Sequence, residues 1–500
     1  MIRWIVILIA CLCMPVAANA AWHRAESDNF IVYMDDSPED VRRLAGRLER
    51  FNYVMRTLQN VTADPSPVKL RVFVVRSTRR VQSLLDGRAG ENTTGIYIPA
   101  TRGPYAIVPE HTQNRGRYSI RSEQILFHEY AHHFMLQYYP ANYPGWYVEG
   151  FAEFWSMVRL RPDNRVELGR PSAGRSPDLH LSDWIRTSDM LSNEAPLSGM
   201  LYAQAWLFTH YAFFDSDTGT LLRQYLNLMQ EGATAPAAYV TTFGLSQVDY
   251  DDVLQDYRDG RMSGMAFDMA NTPSFPITLT RISDAEAEIA LLYPRATEQG
   301  LQLAEELAGE YSGNPQAHVE LARFRIEDGN IPGALEAADR ALALAPEHLE
   351  AHLFKGIALT EAAMDSADDD DPRWAAARDH IARANRTDPD NALALFSYYR
   401  AYPNDSQRPE IVDQALEVAF SSVPQSPEVR SLMVNEMINQ ERYDVALRII
   451  VPLLQAQHGA GADPNAEATL ASLRQYVNEA RRESGSENSS QDTELDEEQQ

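Results

Sequence analysis

The chain has 500 residues, 44% of them hydrophobic, which suits ordinary cores in two or three domains of about 100–200 residues each. Its 71 acidic side chains against 44 basic ones give a formal net charge of -27, so repulsion argues against a nucleic-acid partner. Acidity on this scale favours solubility and names no substrate.

Residues 1–20 read as an export signal. Arg3 supplies the positive start, Trp4 to Met14 the short apolar run, and Ala18-Asn19-Ala20 the small residues before cleavage at Ala21. The run is too short to span a bilayer, and no later stretch is long and apolar enough to form a membrane span. A periplasmic or secreted location is therefore expected. Leu8-Ile9-Ala10-Cys11 resembles a lipoprotein processing site, but it leaves only ten residues before the cut. Both cysteines, Cys11 and Cys13, fall in this segment, so the exported chain should carry no disulfide.

Residues 21–280 form the first candidate domain. Phe30 to Tyr33 and Val68 to Val75 read as strands. Between them, Val41, Leu44, Leu48, Phe51, Val54 and Met55 follow helical spacing over Glu39 to Leu58. Gly95 to Ile98 and Tyr105 to Val108 read as two further strands around a Gly/Pro turn, and from Ser122 the pattern is mostly helical. Strands first and helices later predict an α+β domain with a small sheet beside a helical lobe.

His128-Glu129-Tyr130-Ala131-His132 is an HExxH motif on a helix that ends before Pro140. Residues four apart share one helical face, about 5–6 Å apart at Cβ, so two imidazoles can converge on one zinc ion. Glu129 then stands beside the metal as a general base for a bound water. His133 points about a quarter-turn away and reads as a packing or surface residue.

Alone, this motif is a weak signal. The sequence Gly145-Trp146-Tyr147-Val148-Glu149-Gly150-Phe151-Ala152-Glu153-Phe154 adds to it. Together the two segments resemble the gluzincin clan of zinc metallopeptidases, whose second helix carries a glutamate ligand in a W-x-x-E-G-x-A-E type sequence. The resemblance covers residues 120–215. It implies a zincin-like fold, one Zn2+ per chain held by His128, His132 and Glu149, and Glu129 as the catalytic base. Glu153, one turn beyond Glu149, is placed to accept from the far nitrogen of His128. Tyr202 or His210, on a downstream aromatic-rich helix, are candidates for the oxyanion donor. In gluzincins the substrate adds as a strand to the sheet edge, and Tyr105 to Val108 is the expected edge. The G-x-M-E-N element of the aminopeptidase branch is absent, so endopeptidase action is preferred.

Residues 281–480 read as helical repeats. Prolines recur at Pro315, Pro346, Pro389 and Pro427, and small residues recur before two of them: Ala334, Ala338 and Ala341, then Ala377, Ile381 and Ala384. With Ala322 and Gly356 at the small position of the first helix, this resembles the tetratricopeptide pattern and implies an all-α solenoid. Asp368 to Asp371 reads as a solvated insertion without EF-hand spacing. Residues 481–500 are expected to be a disordered acidic tail.

The expected activity is hydrolysis of peptide bonds by zinc-activated water, with the repeats recruiting a peptide or protein substrate or a protein partner. The alternative is a scaffold or binding protein with a vestigial, non-catalytic zinc domain. The intact Glu129 favours the enzyme, because chemistry needs a base and metal binding does not.

Overall fold

The computed structural model describes residues 21–85, 93–111, 121–141, 143–269, 271–366, 368–402, 408–450, 475, 476 and 479. The expected export signal at 1–20 and the expected acidic tail at 481–500 lie outside the described residues.

The chain starts with a hairpin of β1 (Ala21–Glu26) and β2 (Phe30–Asp36), and helix α1 (Pro38–Leu58) then crosses back to β3 (Leu70–Ser77), which pairs parallel to β2. Ser37 accepts from the Asp40 amide and Pro38 starts the helix, a strong start signal. After α2 (Thr78–Leu85) come β4 (Ile96–Ile98) and β5 (Tyr105–His111); β5 is parallel to β3 and β4 is antiparallel to β5. The sheet order among the described residues is β4-β5-β3-β2-β1, with a late strand closing the far edge. The expected edge at Tyr105 to Val108 is thus corrected: β5 is interior and β4 is the edge.

The helical lobe begins with α3 (Ser122–Tyr138) and α4 (Gly145–Ser156). Both are buried on nearly all sides, and Phe127 stacks on Phe51 of α1 at 3.9 Å between ring centroids. A short hairpin of β6 (Arg159–Leu160) and β7 (Arg165–Leu168) follows, then α5 (Ser176–Leu181), α6 (Thr187–Leu191) and the apolar α7 (Gly199–Phe214) against α4. Helices α8 (Ser216–Gln230), α9 (Ala235–Thr241) and α10 (Tyr250–Asp259) complete the lobe. Strand β8 (Met265–Asp268) pairs with β7, and β9 (Thr278–Arg281) returns to pair with β1.

From α11 (Asp284–Ala290) and α12 (Thr297–Glu310) onward the described chain is helical. Helix pairs follow: α13 (Pro315–Glu327) with α14 (Ile331–Leu344), α15 (Leu349–Ser366) with α16 (Pro372–Thr387), α17 (Ala392–Arg400) with α18 (Glu410–Ser422), and α19 (Pro427–Asn439) with α20 (Tyr443–Ile450). Each pair packs on the next, which is a helical-repeat solenoid. Pro315 and Pro427 occupy first turns, where a missing N–H costs nothing, while Pro346 and Pro389 lie just past helix ends. The recurrent small residues are its buried seam: Ala334, Ala338, Ala341, Ala377, Ile381 and Ala384 are fully buried. A Cβ on Gly356 would lie 2.5 Å from Ile381, so only glycine permits that approach. Asp371 caps α16 and forms a turn with Asp368. No helix among the described residues is long and apolar enough to cross a membrane.

Candidate metal centre

Helix α3 presents His128 and His132 one turn apart, and α4 brings Glu149 across to them. The two Nε2 atoms are 3.0 Å apart, and Glu149 Oε2 lies 3.2 Å from that of His128 and 3.7 Å from that of His132. A tetrahedral zinc ion with bonds of about 2.0–2.1 Å separates its ligand atoms by about 3.3–3.4 Å. The three edges found here, from 3.0 to 3.7 Å, bracket that spacing. The donor set, two imidazoles and one carboxylate, is of a type that could hold a zinc ion.

The charge balance points the same way. Burial alone would lower the His128 imidazole, but its hydrogen bond to Glu149 and the charges of Glu153, Glu149 and Glu129 hold it up to about 9. Burial pushes the Glu129 carboxyl up to about 7; Glu149 and Glu153 push the same way, against His128 and a hydrogen bond from the Tyr97 backbone N–H. Clustered carboxylates in a buried site favour a cation among them.

Glu129 stands where α3 passes under the start of β4. A Cβ on Gly95 would lie 2.3 Å from Ile125 and 3.1 Å from Glu129 Oε1, so a side chain there would press on the carboxylate. Sequence reading missed this proximity, and alternation in a three-residue strand offers no signal for it. Glu153 Oε1 lies 3.6 Å from His128 Nδ1, an ion-pair distance longer than a hydrogen bond, and also binds Arg175. Arg175, which sequence reading missed too, sits over the Tyr202 ring at 5.0 Å. It lies in a loop without a motif, so only the fold reveals it.

Tyr202 neighbours the site through Arg175, which pairs with Glu153. Burial raises its hydroxyl pKa far above the usual value, and Glu149 adds to this while Arg175 opposes it, so the group stays protonated. His210 does not serve the site: Nε2 contacts the Gly169 carbonyl at 3.1 Å and Nδ1 the Tyr257 hydroxyl at 2.9 Å, so both nitrogens are engaged elsewhere. His133 is buried, lies 3.2 Å from the Tyr97 hydroxyl, and is lowered by burial to about 3, a neutral packing residue.

No family model matches the chain, and no curated protein matches it. Among solved structures, it is similar to a thermophilic TPR protein of Thermus thermophilus, at 22% identity and a TM-score of 0.31, over 35% of this chain and 90% of that one. It is also similar to the MamA RS-1 ArsTM double mutant, at 17% identity and a TM-score of 0.26, over 36% of this chain and 94% of that one. Both likenesses are partial, and the repeat architecture rests on the helix pairs themselves.

Proposed function

We propose that this chain is a zinc-dependent peptidase of the gluzincin type, with endopeptidase action preferred. The observation that carries this reading is the convergence of His128, His132 and Glu149 at tetrahedral spacing beside the buried carboxyl of Glu129. Bound zinc would supply a Lewis acid that makes water a nucleophile near neutral pH and polarises the scissile carbonyl. Glu129 takes a proton from the attacking water and returns it to the leaving amine. Gly95, just before β4, packs close against the Glu129 carboxylate. Tyr202, whose ring lies under Arg175 and whose hydroxyl keeps its proton, is the candidate donor for the oxyanion. Glu153 faces the far side of His128 at ion-pair distance. An extended peptide adding to the edge strand β4 would pass Glu129, and such main-chain pairing tolerates many sequences.

A second reading has its own support. Stacked helix pairs offer a surface for a protein partner, and the chain would then be a binding protein whose zinc domain has lost its chemistry. One experiment separates the two. Zinc content and casein cleavage are measured for the exported chain and for Glu129→Gln. We expect one zinc per chain in both proteins and cleavage only by the unsubstituted one, with kcat lowered by at least about 100-fold in the variant. Zinc in both with no cleavage favours the binding reading. No zinc in either removes the metal centre.

A further inference from the structure

The turn between β4 and β5 is gripped by the solenoid. Arg102, at its tip, reaches between Glu320 of α13 and Glu350 of α15. Its Nη atoms donate to Glu320 at 2.6 and 3.1 Å, and Nε and one Nη donate to Glu350 Oε1 at 3.1 and 2.8 Å. The guanidinium also lies over the rings of Tyr293 and Phe354, at 4.6 and 5.3 Å. The Tyr293 hydroxyl donates to the Gly103 carbonyl at 2.9 Å. Beside Arg102, the Thr101 hydroxyl lies 2.6 Å from that of Ser426 and donates to Glu428 at 2.9 Å. The same α18–α19 connection touches α3, where Gln137 donates to the Ser422 carbonyl at 3.4 Å.

We infer that the solenoid is an internal brace for the edge strand at the metal centre, with Arg102 as its positioning residue. Strand β4 is three residues long and pairs on one side with β5, too little to hold it rigidly by itself. Gly95, immediately before it, packs against Ile125 and Glu129 of α3, so any play in β4 reaches the site. The forked guanidinium fixes the turn in direction as well as distance, which a lysine could not do. The carboxylates are otherwise occupied: Gln316 donates to Glu350 at 2.7 Å and Arg323 to Glu320 at 2.9 Å. A cavity of about 310 Å³ beside them is lined by these groups and by Tyr33, Phe73 and Ile289 among others. A peptide laid across α13 and α15 here would have to displace the turn, so this face serves the chain itself and not substrate recruitment.

The inference rests on the peptidase reading for its catalytic consequence, and its test has a readout that does not. Arg102→Met alone would leave two enclosed carboxylates without their partner, so the full chain is compared with Arg102→Met/Glu320→Gln/Glu350→Gln, which removes the charges together. Hydrogen exchange is followed in the metal-free proteins, and zinc content and casein cleavage in the loaded ones. We expect amide exchange over Ile96–Ile98 to rise about tenfold while α3 and α4 stay protected. One zinc per chain is retained and kcat falls about tenfold. Arg102→Lys gives an intermediate result. Unchanged exchange in β4 overturns the brace, whatever cleavage does. Equal loosening of α3 and β4 also overturns it, because that is general destabilisation. If no protein cleaves casein but β4 alone loosens, the brace stands and the peptidase reading falls.

Discussion

In the N-terminal domain the carboxylates of Glu129, Glu149 and Glu153 are buried around His128 and His132, and Arg175 pairs with Glu153. In the solenoid Glu320 is also buried, and with Glu350 it closes on Arg102, while Arg323 binds Glu320 too. Burial raises Glu129 toward neutrality. Burial would raise Glu320 as well, but Arg102 and Arg323 outweigh it and hold that carboxyl below the usual range. The second cluster is neutralised by its own chain. The first draws a proton onto His128 and has the donor set for a metal. The two clusters differ in what faces the buried acid: imidazoles, which can also hold a metal, in the first, and arginines, which cannot, in the second.

The sharpest way to break this contrast is Glu149→Ala. Zinc affinity, measured by competition with a chelator, should fall by more than the roughly 10–100-fold typical of residues behind the ligands. In metal-free protein the same substitution should lower the thermal midpoint near neutral pH, because it removes the carboxylate that holds His128 protonated. An unchanged midpoint would mean that Glu149 and His128 do not pair in the absence of metal. Glu153→Gln is expected to do less: about 10–100-fold in zinc affinity or kcat, with one zinc still bound at saturation. An effect below twofold would remove Glu153 from the site's support.

The smallest effect concerns pH. Glu320 has a folded-state pKa below its unfolded value of about 4.3. The stability it contributes is present above that value and lost as pH falls through the folded one. Urea unfolding of metal-free protein should therefore weaken between pH 5 and pH 3 more steeply than in Glu320→Gln, by on the order of 1 kcal/mol. Parallel curves would mean that Arg102 does not hold Glu320.

The parts written in local spacing were legible in the sequence. His128, His132 and Glu149 lie on two consecutive helices joined by a short loop, so the motif and its follower place the cluster. The alanine rhythm likewise marked the seam of the solenoid, since a repeat packs mainly on its neighbours. What was not legible depends on pairing across distance. Strand alternation cannot say whether β4 or β5 is the edge, because that is fixed by β5 joining β3. The β1 strand was unrecognised since it is defined by partners on both sides, one of them β9. Arg102 looks like any turn cation until α13 and α15 arrive beside it.

The pairing of Ala21–Glu26 with Thr278–Arg281 sets an order of events during synthesis. The sheet's first strand emerges earliest and waits for almost the last strand of its domain, a contact of very high sequence separation. Until then its outer edge offers unpaired backbone groups to any other strand. The helix pairs behind it need only their immediate neighbours and can form as they appear. A chain cut short before Arg281 would keep that edge open, and its characteristic failure would be aggregation rather than loss of the metal cluster.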